Sequence, residues 1–322
     1  MGIKEQAPLI QLNDSILSEL NVQLFICQLY LTHPTINGNK WFKLKYNLQE
    51  AARLGHHTIL TFGGAFSNHI YATAAACKEF GFNSIGIIRG ERTPELNSTL
   101  KFAESSGMHL HFTDRANYKT KHTESFLVRL KQQFGEFYLI PEGGANVLGV
   151  KGCREILRNV IQGGQDPESS DNVSCPLDFD YVCCPCGTGT TLAGISLALK
   201  SHQKAMGFSV LKGGEFLKED TDQFRKAYSH LFAPVNSSPD NVSPASIRDF
   251  HINADYHFGG YAKTNTILMK FIETFENQHF IPLDPIYTAK MMFGIYDLIG
   301  KGFFSSGSKI IAIHTGGLTS YC

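Results

Sequence analysis

The sequence predicts an α/β protein made of mostly parallel sheets with helices packed on their faces. Three observations carry that expectation. Short apolar runs alternate with amphipathic stretches of helical spacing over most of the chain. Glycines stand at the junctions, as in Gly63-Gly64 and Gly187-Thr-Gly189, where a strand must turn sharply into a helix. The strand-to-helix order then repeats, which favours parallel pairing. At 322 residues the chain suffices for one large domain or two interleaved ones.

Taken in order, residues 9–36 hold two apolar runs, one around Ile16 and one at 24–31 that stops at His33-Pro34. They read as a short helix or turn and a strand. From Trp41 onward, apolar residues recur at Leu44, Leu48, Ala51 and Ala52 and stop at Gly55, a helix with Asn37 or Asn39 as its cap. A strand at 58–62 leads through Gly63-Gly-Ala-Phe-Ser-Asn-His69 into an alanine-rich helix that ends at Phe80-Gly81. The unit repeats as a strand at 84–88, a helix at 99–106, a strand at 109–112, a helix at 119–134 and a strand at 137–140.

Gly143-Gly144 and Gly149 then punctuate a loop before a helix at 151–161, and 163–178 is a polar surface connection. A strand at 181–184, a helix at 191–199 and a strand at 204–211 resume the alternation. Residues 233–246, with three prolines and four serines, form an exposed excursion inside the pattern. A strand near 248–256, helices at 265–277 and 287–300 and a strand at 309–313 complete the chain.

Lysine plus arginine equal aspartate plus glutamate at 29 each, so no global field favours nucleic acid. No window of about 18 apolar residues offers a membrane span, and the first residues lack the apolar run of a signal peptide. Eight cysteines in a chain this large need not staple it, and reduced thiols fit best. Cys183-Cys-Pro-Cys186 lies in a strand pattern without zinc spacing, so these thiols read as structural and no metal is expected. Together these features lead us to expect a cytoplasmic protein with a small ligand.

Chemistry concentrates in a few short stretches. Asn37-Gly-Asn-Lys-Trp-Phe-Lys43 puts two lysines three residues apart on one face of a first helical turn. The positive helix end and the second ammonium would raise the free-amine fraction of Lys40, as a carbonyl-reactive lysine requires. Two solvated lysines opening a surface helix fit the stretch as well. Cys186-Gly-Thr-Gly-Thr-Thr191 resembles a phosphate cradle of amides and hydroxyls, although an ordinary strand-to-helix turn has the same pattern. No Walker lysine follows it, and the glycine spacing departs from the dinucleotide fingerprint. Ser67-Asn-His69 gathers three polar side chains at a helix start, either as a cap or as a carboxylate site. Asp284-Pro-Ile-Tyr-Thr-Ala-Lys290 and His314-Thr-Gly-Gly317 put hydroxyls at junctions where ligands collect in open sheets.

The order of these four elements resembles the pyridoxal-phosphate enzymes of the tryptophan-synthase β fold, known as fold type II. More narrowly, it is similar to the branch containing 1-aminocyclopropane-1-carboxylate deaminase and D-cysteine desulfhydrase. The resemblance spans residues 36–317. It implies two domains with pyridoxal 5'-phosphate in the cleft between them: residues 1–43 with 151–322 as the large one, and 44–150 inserted as the small one. It makes Lys40 the Schiff-base lysine and Lys43 a phosphate contact, with Gly187, Thr188, Gly189, Thr190 and Thr191 cradling the phosphate. Asn68 would meet the cofactor's phenolic oxygen. Ser67, Asn68 and His69 would hold the substrate carboxylate, with Ser67 also a proton carrier. Tyr261 and Tyr287 would shape the pocket and move protons.

Position 288, a glutamate in the deaminases, is a threonine here, with Thr315 nearby by analogy. A neutral partner for the ring nitrogen suits β-elimination and favours desulfhydrase-like chemistry over cyclopropane opening. A non-catalytic relative that keeps the cofactor is the third reading, and a homodimer is the family habit. Two departures stand out. Phe42 occupies a position where the family usually has arginine, and residues 213–244 match poorly.

Overall fold

The computed structural model describes residues 3–36, 38–162, 175, 177–232 and 249–318. The expected excursion at 233–246 lies outside the described residues, as does most of the polar connection at 163–178. The chain opens with β1 (Ala7–Leu12), a strand that the apolar pattern did not signal. Its faces are mixed and it contains Pro8, so neither alternation nor a buried run shows in the sequence. Then come α1 (Ser15–Glu19), whose first amides are capped by the Asp14 carboxylate, and β2 (Gln23–Gln28).

Helix α2 (Asn39–Arg53) starts differently from the expectation. Its cap residue is Gly38, with φ of +66°, and no side chain caps it. Here close packing decided the residue: a Cβ on Gly38 would lie 2.0 Å from the Thr315 carbonyl oxygen. The small sheet follows with β3 (Thr58–Gly64), α3 (Asn68–Phe80), β4 (Asn83–Arg89), α4 (Ser98–Ser105) and β5 (Met108–Thr113). The single helix expected at 119–134 is two, α5 (Arg115–Lys119) and α6 (Glu124–Phe134). Asp114 and Thr123 each cap a fresh start there. After β6 (Tyr138–Ile140) the sheet is complete, parallel throughout, in the order β5-β4-β3-β6.

The helix expected at 151–161 also differs. α7 (Val147–Cys153) begins four residues earlier, capped by Asn146, and the chain then passes through a 3-10 turn into β7 (Val160–Gln162). Gly149, expected in the loop, lies within this helix, and Gly152 serves helix packing: a Cβ there would stand 1.6 Å from the Phe42 carbonyl oxygen of α2. The rest of the chain builds the large sheet. It runs through β8 (Tyr181–Cys186), α8 (Thr190–Leu197), β9 (Lys204–Ser209), α9 (Leu217–Phe232), β10 (Phe250–Asn253), α10 (Thr266–His279), α11 (Thr288–Gly300) and β11 (Lys309–His314). Its order is β10-β9-β8-β11-β2-β1-β7, and only the β1–β2 pair is antiparallel.

The molecule is therefore an α/β protein of two mostly parallel sheets flanked by helices, the small sheet drawn from residues 58–140 and the large one from the chain on either side. Two apolar clusters cover the faces of the large sheet, one around Leu24, Phe208 and Ile295 and one around Phe25, Val182 and Leu192. Cys27, Cys153, Cys183, Cys184 and Cys186 are buried free thiols within these layers. Among the described residues no helix is long and apolar enough to cross a membrane, and no group of histidine, cysteine and acidic side chains is arranged to hold a metal ion.

The α2–α7 crossing gives a direct test. Replacing Gly152 with alanine pushes a methyl into the Phe42 carbonyl and must separate the two helices. We expect a loss of about 2–3 kcal/mol, read as a lower urea midpoint with the slope unchanged.

Candidate active site

Strands β3, β8 and β11 end at one cleft, and the turns that follow them enclose a cavity of about 700 Å³. That is the size and place at which α/β sheets hold small ligands. Lys40, Lys43, Ser67, Asn68 and His69 line it from one side of the cleft. Gly187, Thr188, Gly189, Thr191, Tyr261, Tyr287 and Thr315 line it from the other. Thr190 and Thr288 are not on the wall. The Thr190 hydroxyl is 3.0 Å from that of Thr188, and Thr288 faces Asp284.

Lys40 sits in the first turn of α2, and its Nζ donates to Asn39 Oδ1 at 2.8 Å. The Asn39 amide in turn donates to Thr191 Oγ1 at 2.8 Å, which ties the lysine's turn to the start of α8. Burial and the neighbouring Lys43 lower the Lys40 pKa from 10.5 to about 7, so near neutrality about half of it is free amine. Burial lowers Lys43 too, and its Nζ reaches Thr188 Oγ1 at 3.4 Å. The cradle around it is a Gly187–Gly189 turn with Gly189 in the left-handed region, opening α8. A Cβ on Gly189 would meet Thr221 at 2.4 Å, and one on Gly143 would touch Thr188 at 3.2 Å. Helix-start amides, two threonine hydroxyls and an ammonium make a donor set that fits a phosphate.

Ser67 does cap α3, accepting from the Ile70 amide at 3.3 Å, and it lines the cavity as well. With its oxygen accepting, its proton is directed elsewhere. The side chain of His69 has the opposite polarity to that expected of a carboxylate ligand. Thr61 donates its proton to the Ile140 carbonyl at 2.8 Å, so it accepts from His69 Nε2 at 2.9 Å. The Nδ1 lone pair is therefore bare, and it is buried without a protein partner. Burial, with Lys40 and Lys43 nearby, holds the ring's pKa well below 6.5. A neutral ring whose remaining nitrogen offers a lone pair has no proton to give a carboxylate, so donation from this turn comes from its amides and from Ser67 and Asn68.

Tyr261 and Tyr287 meet edge to face with ring centroids 6.0 Å apart. Burial raises both phenols, Tyr287 the more, so both hold their protons at neutral pH. Position 42 is also resolved: Phe42 is wholly buried in the large-sheet core and does not line the cavity. The charge expected there has no bearing on the cavity wall.

Several residues around the site have roles that the sequence did not assign. Asp284 accepts from the amides of Ile286, Tyr287 and Thr288, and from the Thr288 hydroxyl, so its carboxylate holds the start of α11. Lys290 is fully buried and donates to the carbonyls of His257 at 2.9 Å and Gly260 at 2.8 Å, holding the turn that carries Tyr261. Phe216, Gln223 and Phe224 add a wall from α9 and the turn before it, inside the segment that matched the family poorly, and Leu211 joins them from just before it. Arg89, Lys121 and Glu142 line the small-sheet side.

Two measurements follow. In cofactor-free protein, acylation of Lys40 by a small anhydride, mapped by mass spectrometry, should rise through about pH 7, and Lys43→Met should move the midpoint upward. Lys290→Met removes the ammonium that ties the His257 and Gly260 carbonyls to α11 and leaves each with one backbone donor, the amides of Gly260 and Lys263, so we expect thermal unfolding to show a loss of about 1–2 kcal/mol.

Comparison with known proteins agrees with this geometry. The family model described as pyridoxal-phosphate dependent enzyme matches residues 3–316. A Pyrococcus horikoshii protein provisionally named 1-aminocyclopropane-1-carboxylate deaminase is 30% identical over 316 residues, covering 96% of this chain and 89% of its own. The mitochondrial bifunctional D-cysteine desulfhydrase/1-aminocyclopropane-1-carboxylate deaminase of Arabidopsis thaliana is 30% identical over 311 residues, covering 92% of this chain and 72% of its own. Among solved structures, a homologue of 1-aminocyclopropane-1-carboxylate deaminase superposes with a TM-score of 0.78 at 28% identity, over 98% of this chain and 90% of that one. With the match running nearly end to end and a donor set that suits the cofactor's phosphate, the chain belongs to the pyridoxal-phosphate-dependent enzymes, in the group of relatives named for 1-aminocyclopropane-1-carboxylate deaminase and D-cysteine desulfhydrase.

Proposed function

We propose that the protein eliminates a β-substituent from a small amino acid in the manner of D-cysteine desulfhydrase, giving pyruvate, ammonia and hydrogen sulfide from D-cysteine. The observation that supports elimination is the state of the α11 junction. Position 288 is a threonine, and the adjacent Asp284 spends its carboxylate on the helix cap. No carboxylate there is free to hold a proton on a pyridine nitrogen, and Thr315 is the polar side chain left on that wall. Pyridoxal phosphate, when bound, supplies the electron sink that makes a Cα proton removable.

The residues of the chain divide the remaining work. Lys43, the Gly187–Gly189 amides and Thr188 and Thr191 hold the phosphate, and Lys40 carries the cofactor. Burial lowers the pKa of Lys40, which favours the free amine, and once released that amine would take the Cα proton. Ser67 Oγ–H, Asn68 and the α3 amides bind the substrate carboxylate. The Tyr261 and Tyr287 phenols, protonated at neutral pH, donate to the departing group.

The names of the relatives favour a second reading, opening of the cyclopropane amino acid to 2-oxobutanoate and ammonia. Purified enzyme offered D-cysteine, L-cysteine and 1-aminocyclopropane-1-carboxylate separates the two by the product formed. We expect sulfide and pyruvate, and borohydride reduction should fix the cofactor to Lys40. Lys40→Ala should lose the fixed adduct and at least about 10³-fold in turnover. Production of 2-oxobutanoate alone overturns the elimination, and absence of product from all three leaves the non-catalytic relative.

A further inference from the structure

One wall of the cavity has no part in the roles above. Arg89, the last residue of β4, stands beside the end of β3, where a Cβ on Gly64 would lie 3.6 Å from its Nη2. Its guanidinium lies over the Tyr118 ring at 5.8 Å from the centroid. Lys121 approaches the same ring at 4.8 Å, but its charge is paired with Glu142 at 3.3 Å. Arg89 has no such partner: among the described residues its guanidinium makes no ion pair or hydrogen bond, and its contact is with the face of the Tyr118 ring. Arg89 lines the same cavity as Tyr261 of the large-sheet side, so its guanidinium is at the cleft. The other carboxylate on the cavity wall, Asp220, belongs to α9 and forms no pair with it.

An arginine fork presents parallel donors matched to a planar anion, and inside a cavity the attraction is stronger than at an open surface. The substrate's α-carboxylate already has the start of α3, whose cap Ser67 follows Gly64 by three residues. The α-carboxylate thus leaves Arg89 beside the next part of the ligand, its side chain. We infer that Arg89 forms a second anion subsite, and that the enzyme prefers α-amino acids whose side chain ends in a carboxylate or phosphate. The inference rests on the amino-acid lyase reading and names the substrate class within it. Glu142 sharpens the preference, since it neutralises Lys121 and would repel an anion placed away from Arg89.

The test uses the holoenzyme and reads binding apart from turnover. Both enantiomers of aspartate and of alanine are titrated against the cofactor's visible absorbance, and O-phosphoserine is compared with serine as substrate. Aspartate should bind about ten- to hundredfold more tightly than alanine, and kcat/KM should favour O-phosphoserine by a similar factor. Arg89→Met should collapse the aspartate-to-alanine ratio toward one, and Arg89→Lys should retain part of it. Equal affinities in the wild type overturn the inference and leave the lyase reading standing. So does a ratio that survives in Arg89→Met, or a parallel loss for both ligands, which would assign Arg89 to the α-carboxylate. If no amino acid perturbs the absorbance, the lyase reading falls and the subsite with it.

Discussion

The cleft depends on how closely the backbone of α2 approaches its neighbours. Gly38 lies against the Thr315 carbonyl with space for a hydrogen and no methyl, and the carbonyl of Phe42 presses in the same way on Gly152 of α7. Lys40 sits midway between these two contacts. A helix held by backbone on both sides of one residue cannot slide or rotate there without opening the packing, so the direction of that lysine is fixed by main chain. Asn39 adds a side-chain link to Thr191. The reactive amine and the phosphate cradle are therefore set relative to each other by the small sheet's first helix and the large sheet's turns together.

That placement has an electrostatic cost with a chemical consequence. Two ammonium groups in one enclosed cavity disfavour each other's charge, and burial disfavours both. The conflict is resolved unevenly. Lys43 faces the threonine and amide donors, where an incoming phosphate brings negative charge and restores its ammonium form. Among the described residues the Lys40 ammonium has Asn39 Oδ1 as its acceptor, and it is left to deprotonate. One lysine becomes an anion ligand and the other a nucleophile because of where the acceptors lie.

The alternation of strand and helix and the order of the polar turns were legible in the sequence, because each rests on spacing within a few residues. What escaped it depends on distant partners. β1 exists because β2 and β7 flank it. α9 buries little beyond Leu217, Thr221 and Arg225, so its apolar stripe is too thin to stand out. The polarity of His69 is decided by where Thr61 sends its proton, to a carbonyl 79 residues away. Gly38 read as part of a polar turn and Gly152 as an ordinary helix position, yet each marks a place where two backbones touch. Position 42 stood out in the sequence as a missing charge, and its side chain belongs to the core.

The first turn of α11 shows how such distant contacts combine into pocket shape. Tyr287 is the cap residue of this helix, with its amide held by Asp284. Lys290, one turn on, spends its ammonium on two carbonyls of the turn that carries Tyr261. Each of the two charges, Asp284 and Lys290, is met by main-chain groups, so neither is left unpaired where water is excluded. The two tyrosines come from segments 26 residues apart in the chain, yet both are anchored to the same helical turn. Their edge-to-face packing is therefore a property of α11, and a substrate that displaces one ring must move the other or break a buried charge from its carbonyls.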